Sequence, residues 1–263
     1  MYETIEIERR GPVAHVWMNR PQVHNAFNAT LIRELEQAWD ELAGDDSVRV
    51  VVLAGRGKSF SAGADLNWMK EAAGYTEAEN LADARRLAGM LLKLAQLPHP
   101  TIARVQGAAL GGGTGLAAAC DICIAAERAV FATSEVRFGI IPSAISPYVI
   151  RAIGPRQAGR YFQSAERISS VRAAALGLVH EVAGDEADLD ARIDGIVAAL
   201  LEGGPKAQAA AKSLIAAVTP EPIGPAVVED TARRIAGLRA TPEAREGLGA
   251  FLEKRAPGWL AGD

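Results

Sequence analysis

Three short segments hold residue types whose spacing could do chemistry. The first is Phe60-Ser61-Ala62-Gly63-Ala64-Asp65. Its small side chains let a ligand approach the backbone, and successive N–H groups can point at one oxygen. The plain alternative is a tight turn with Asp65 as a helix N-cap. The second runs from Gln106-Gly107 through Leu110-Gly111-Gly112-Gly113-Thr114-Gly115. A strand that passes through glycines into a helix exposes unpaired N–H groups at the positive helix end, a setting suited to a developing oxyanion. The third is Ser134-Glu135-Val136-Arg137-Phe138-Gly139-Ile140-Ile141-Pro142. A lone Glu among apolar residues is either half-buried and ion-paired, with Arg137 as partner, or held for proton transfer. In the second case desolvation raises its pKa toward the range useful for acid/base work.

The glycine run has a rival reading. Gly113-Thr114-Gly115-Leu116-Ala117-Ala118 matches a dinucleotide fingerprint with Ala in the last place. That fingerprint should follow its strand directly and open the fold, whereas seven residues separate Val105 from Gly113 and the run lies mid-chain. A phosphate P-loop is excluded because no Gly-Lys-Ser/Thr follows.

The elements that would position these segments are legible as periodicity. Thr4–Glu8 and Val13–Met18 read as strands joined at Gly11-Pro12. Asn28 is a candidate N-cap for a helix whose Leu31, Leu35, Trp39 and Leu42 recur at three- and four-residue spacing. Val48–Leu53 and Thr101–Val105 are continuous apolar runs suited to buried strands, with a helix over Glu77–Leu94 between them. A helix follows from about Gly112, then strands at Ile122–Ala125 and Ala129–Ala132. Beyond Pro142 the pattern is helical over 146–163, 169–176, 187–201, 207–217, 224–238 and 242–254, with Leu178–Val182 as a last strand. Strands alternating with helices predict an α/β core with right-handed crossovers, followed by a helical segment from about residues 190–200.

Composition narrows the function classes. With 49% hydrophobic and 23% charged residues, the 263-residue chain has the balance of an ordinary globular protein rather than a disordered one. A net charge of −4 gives no sequence-wide reason to bind nucleic acid. The apolar runs are too short to span a bilayer, and the opening MYETIEIERRGPV has no basic stretch followed by an apolar core, so no signal peptide is visible. Cys120 and Cys123 lie in the apolar run LAAACDICIAA and read as buried free thiols, which fits a reducing, cytoplasmic location. His15, His24, His99 and His180 lack ligand spacing, so no metal is expected.

Taken together, the segments resemble the crotonase (enoyl-CoA hydratase/isomerase) superfamily along nearly the whole chain. Asn19-Arg20-Pro21 and Asn25-Ala26-Phe27 resemble its opening signature, Ser61–Leu66 its first oxyanion segment and Leu110–Gly113 its second. Glu135 with Gly139–Pro142 resembles its catalytic-Glu segment, and Phe251–Arg255 its C-terminal helix. The resemblance implies an α/β, crotonase-like spiral of ββα units over residues 1–195 and a C-terminal helical trimerisation segment over 196–263. It implies a homotrimer or homohexamer, an acyl-CoA thioester as substrate, and no cofactor, coenzyme A being part of the substrate.

Carried over residue by residue, the N–H groups of Ala64 and Gly112 form the oxyanion hole and Glu135 is the acid/base. His24, Ala62, Asp65, Leu66 and Gly111 line the substrate, with Phe251 and Lys254 toward its nucleotide end. Hydratases of the family carry a second Glu where this chain has Gly115, a departure that favours an isomerase using Glu135 alone. Against that, FSAGADLNWM (60–69) and EVRFGIIPSAISPY (135–148) resemble bacterial methylglutaconyl-CoA and carboxygeranoyl-CoA hydratases, whose substrates carry a distal carboxylate. Trp68, Met69 and Tyr148 are candidate pocket residues, and Arg137 a candidate carboxylate ligand. The expectation is a hydratase of a branched, carboxylated enoyl-CoA such as 3-methylglutaconyl-CoA. The alternatives are a Δ3,Δ2-enoyl-CoA isomerase and a non-catalytic acyl-CoA-binding protein.

Overall fold

The computed structural model describes residues 2–260. Strands β1 (Ile5–Arg10) and β2 (Val13–Met18) form an antiparallel hairpin around Gly11-Pro12, with Ile5 opposite Met18. Strands β3 (Val50–Gly55), β4 (Thr101–Val105), β6 (Ile122–Ala126) and β9 (Glu181–Ala183) extend this sheet in parallel, giving the order β1-β2-β3-β4-β6-β9. A second sheet has the order β5-β7-β8, from Ala108–Leu110, Val130–Ala132 and Ile168–Ser169. Every residue of β3 and β4 is buried, as a parallel strand covered on both faces requires.

The helices are α1 (Ala29–Ala43), α2 (Leu66–Ala72), α3 (Glu77–Gln96), α4 (Gly112–Ala119), α5 (Ser146–Ser164), α6 (Ser170–Leu176) and α7 (Glu186–Glu202), then α8 (Pro205–Val218), α9 (Pro225–Arg239) and α10 (Pro242–Glu253). Asn28 caps α1 by accepting from the Leu31 N–H, and Leu31, Leu35, Trp39 and Leu42 are all buried, as their spacing predicts. A run of one strand per sheet followed by a helix occurs as β4-β5-α4. It recurs as β6-β7-α5 with a 3₁₀ turn (Glu135–Phe138) between. This is the ββα spiral that the resemblance implies. Helix α5 is broken at Gly154, whose φ of 74° precedes Pro155.

The structure departs from the sequence reading in detail. Strands β5 and β8, at three and two residues, carry too little pattern to read. The last strand begins at Glu181 rather than Leu178, because Leu178 and Val179 are core residues of the loop before it.

Contacts divide the chain into two units. One comprises the chain up to Leu97 with Thr101–Gly195, and the other Pro98–Pro100 with the chain from Ile196 on. In the second unit the Glu243 carboxylate accepts from the Lys206 and Ala207 N–H groups at 3.0 and 2.8 Å, so a residue of α10 caps α8. Among the described residues no helix is long and apolar enough to cross a membrane.

Candidate active site

The Ala62–Asp65 loop is held by the residues of the opening signature. Asn25, fully buried with a φ of 54°, donates to the carbonyls of Arg56 and Ser59 and accepts from the Arg20 N–H. Arg20 donates to the Asp65 carboxylate at 2.9 Å and to the Ala26 carbonyl. Asp65 also accepts from the Asn67 N–H and so caps α2, and these donors hold its carboxyl below the usual range despite burial. The plain reading of Asp65 as an N-cap is therefore what the structure shows. Phe27 N–H to Gly63 O and Asp65 N–H to Phe27 O bracket Ala64, whose own N–H donates to nothing among the described residues.

The same loop is zipped to the glycine segment. Ser61 N–H bonds Ala108 O, and Leu110 N–H bonds Ser61 O. Gly111 then turns the chain with a φ of 52°, and Gly112 opens α4, its N–H also without an acceptor. A Cβ on Gly112 would lie 2.0 Å from the Phe27 ring, so only glycine fits there. The dinucleotide reading fails for a reason the sequence did not show. Strand β5 does feed the helix directly, but Gly113 and Gly115 lie inside α4, packed against Ser61 and Ile145.

Gly115, where the resemblance places a second Glu in hydratases, is closed by its neighbour. A Cβ there would sit 2.2 Å from Cγ2 of Ile145, a core residue 2% exposed. The position is thus sterically filled as well as uncharged.

Glu135 opens the 3₁₀ turn that Gly139 ends in the left-handed region. Its Oε1 would lie 3.2 Å from a Cβ on Gly111, which puts the carboxyl against the start of α4. Its Oε2 is buried with no hydrogen-bond partner, and desolvation pushes its pKa up. The expected pairing with Arg137 does not form: Arg137 donates to the Ala165 carbonyl at 2.9 Å and is exposed. In a 3₁₀ turn, with three residues per turn, side chains two positions apart point to different sides.

Ala62, Ala64, Leu66, Gly111, Gly112 and Glu135 come together around one cavity of about 530 Å³. Trp68 and Met69 also line it, but Tyr148 does not; it packs against the core with Arg151 over its ring. His24 is exposed and faces Ser59, 3.1 Å from its Oγ. In the C-terminal unit, Phe251 is 80% exposed and Lys254 ends α10 in the left-handed region. Among the lining residues that the sequence does not single out are Asp83 and Leu87 of α3, and Arg167. Asp83 and Leu87 have helical i, i+4 spacing, the one signal that could have found them. Cys120 and Cys123 are buried and not disulfide-bonded, and no group of three or more potential ligands is placed for a metal among the described residues.

An unpaired, desolvated carboxyl beside two free backbone donors can move protons next to a carbonyl whose oxygen gains charge. Comparison with known proteins agrees with that chemistry. The pattern of the family "Enoyl-CoA hydratase/isomerase" matches residues 8–261. A Thermus thermophilus protein named for enoyl-CoA hydratase is 33% identical over 258 residues, 96% of this chain and 99% of that one. The crystal structure of an enoyl-CoA hydratase from Shewanella pealeana superposes with a TM-score of 0.95 at 41% identity, covering 98% of this chain and 96% of that one. A Legionella pneumophila structure assigned to enoyl-CoA hydratase/isomerase (crotonase) gives a TM-score of 0.91 at 44% identity, with 97% and 98% covered. Fold, cavity and sequence thus agree, and the chain belongs to the enoyl-CoA hydratase/isomerase, or crotonase, family of enzymes.

Proposed function

We propose that the protein hydrates an enoyl-CoA thioester with Glu135 as the acid/base and the N–H groups of Ala64 and Gly112 as the oxyanion hole. The observation that carries this reading is the Glu135 carboxyl, unpaired and desolvated in the same cavity as two N–H groups without acceptors. The oxygen of water bonds C3 of the acyl group with both its hydrogens still attached, and the C2–C3 π electrons move to the thioester oxygen. The two N–H groups stabilise that oxyanion; one such donor is worth about 3 kcal/mol in other enzymes. Collapse of the enolate takes a proton at C2 from the neutral Glu135 carboxyl, whose second oxygen receives the proton lost by water.

For the acyl group we propose a branched, carboxylated chain such as that of 3-methylglutaconyl-CoA. Arg137 and Arg167 line the cavity and supply cations for a distal carboxylate. Coenzyme A would run past His24, Ala62 and Asp65, with Phe251 and Lys254 of a neighbouring subunit toward its nucleotide, in a cytoplasmic homotrimer or homohexamer built on residues 196–263. A second reading, Δ3,Δ2-enoyl-CoA isomerisation by Glu135 alone, is favoured by one observation: Ile145 fills the site of a second carboxylate.

The test is turnover of 3-methylglutaconyl-CoA, crotonyl-CoA and a 3-enoyl-CoA by the protein and by Glu135→Gln. Reversible hydration of the first, lost in the variant, is the expected result. Conversion of the 3-enoyl ester alone would establish the isomerase instead. Tight binding without any turnover would leave a binding protein.

A further inference from the structure

The wall of the cavity formed by α2 and α3 is apolar at Leu66, Met69, Ala72 and Leu87, with one exception. Asp83 lies on the same face of α3 as Leu87, while its neighbours Ala82 and Ala84 are exposed. It caps no helix, unlike Glu79, which closes the capping box of the same helix, and the polar groups nearest it are the Trp68 indole and Arg86. Burial pushes its pKa up, opposed by Arg86 and by the Trp68 indole. That indole N–H is buried, makes no hydrogen bond of ordinary geometry, and is the donor close enough to the carboxyl to oppose the effect of burial. A carboxyl in an apolar wall is costly unless something pairs with it. A leucine or methionine would serve packing better, so the group that repays this cost is to be sought in the ligand.

We infer that Asp83 is a specificity-determining residue: it accepts a hydrogen bond from a donor on the acyl chain, a hydroxyl above all, and rejects an anionic chain end at this wall. The inference rests on the acyl-CoA reading, but not on the choice of a carboxylated acyl group. An anionic end is left to the part of the cavity that carries Arg137 and Arg167. Like charge and an unpaired donor or acceptor both discriminate strongly in a desolvated site, by about tenfold to a hundredfold for a group as accessible as this one.

The experiment uses trans-2-enoyl-CoA esters of one chain length that end in methyl, hydroxymethyl or carboxylate, each rate normalised to crotonyl-CoA. The expected kcat/KM order is hydroxyl over methyl, and the carboxylate ester, whose end the Arg137 and Arg167 side can hold, is used below the rate reached once the Asp83 charge is removed. Asp83→Leu should invert the first preference, and the nearly isosteric Asp83→Asn should raise use of the carboxylate ester about tenfold or more while keeping that of the hydroxyl ester. Turnover of all three esters that depends on Glu135, with the same ratios in the parent and both variants, would overturn the inference and leave the enzyme reading standing. Failure of the parent to turn over any ester would overturn both.

Discussion

On the side of the cavity that carries the Ala64 and Gly112 N–H groups the chain works with backbone, and on the α2–α3 side it works with side chains. The first side is over-determined: Phe27 fills the space over Gly112, Ile145 the space over Gly115, and Arg20, Asn25 and Asp65 tie the Ala64 loop from below. The second presents Trp68, Met69, Asp83 and Leu87, each only partly buried. On the proposed reading the developing charge on a thioester oxygen is the same for every acyl chain, so its donors can be fixed once. Acyl chains differ, and the wall that meets them is built from parts that can change without disturbing the fold.

That contrast predicts where substitutions do most harm. Glu135→Gln should lower hydration by a factor of about 10² to 10⁴. A rate within tenfold of the parent would remove Glu135 from the chemistry. Arg20→Ala strips the Asp65 carboxylate of its cation in a pair whose side chains are only 14% and 10% exposed, so a loss of about 3 kcal/mol in denaturant unfolding is expected, with a fall in kcat. Gly115→Ala, which drives a Cβ into Ile145, should cost about 1 to 3 kcal/mol, partly recovered by adding Ile145→Val. Leu87→Ala, across the cavity, should cost about 1 kcal/mol and act mainly on KM for longer chains. Equal losses at Gly115 and Leu87 would erase the distinction between the two sides.

The smallest effect expected is one of pH on stability. Burial raises the Glu135 pKa in the folded state, so the neutral form favours folding. That advantage is complete below the unfolded pKa and fades as pH rises through the folded value. Glu135→Gln never ionises, so its Tm should gain on the parent as pH rises above the ordinary carboxylate range toward the raised folded value. A gap that does not widen would mean the carboxyl is better solvated than its unpartnered oxygen implies.

The sequence is legible where burial imposes a period. Leu31, Leu35, Trp39 and Leu42 announce α1, and the unbroken apolar run of β3 announces a strand covered on both faces. It is silent where two segments far apart in the chain meet. Nothing near Gly115 says that Ile145 will occupy its space, and nothing near Glu135 says that Arg137 will turn away to Ala165. Asp83 is hidden in the sequence because an acid among Glu77, Glu79 and Arg86 reads as part of a solvated helix face. Only the cavity that α2 and α3 both line shows that one face of that stretch looks inward. Asn25 was read as part of a signature, but its role as the bracket between Arg20, Arg56 and Ser59 is a three-dimensional fact.

The contact between Gly115 and Ile145 also constrains how such a chain could change over generations. A side chain at residue 115 is harmful while Ile145 stands, and trimming Ile145 first would open a cavity in the core. Each single step toward a second carboxylate therefore descends before the pair of them can rise. A lineage carrying this packing is held in a one-acid neighbourhood of sequence space, where variation at the α2–α3 wall is the more open route to a new substrate.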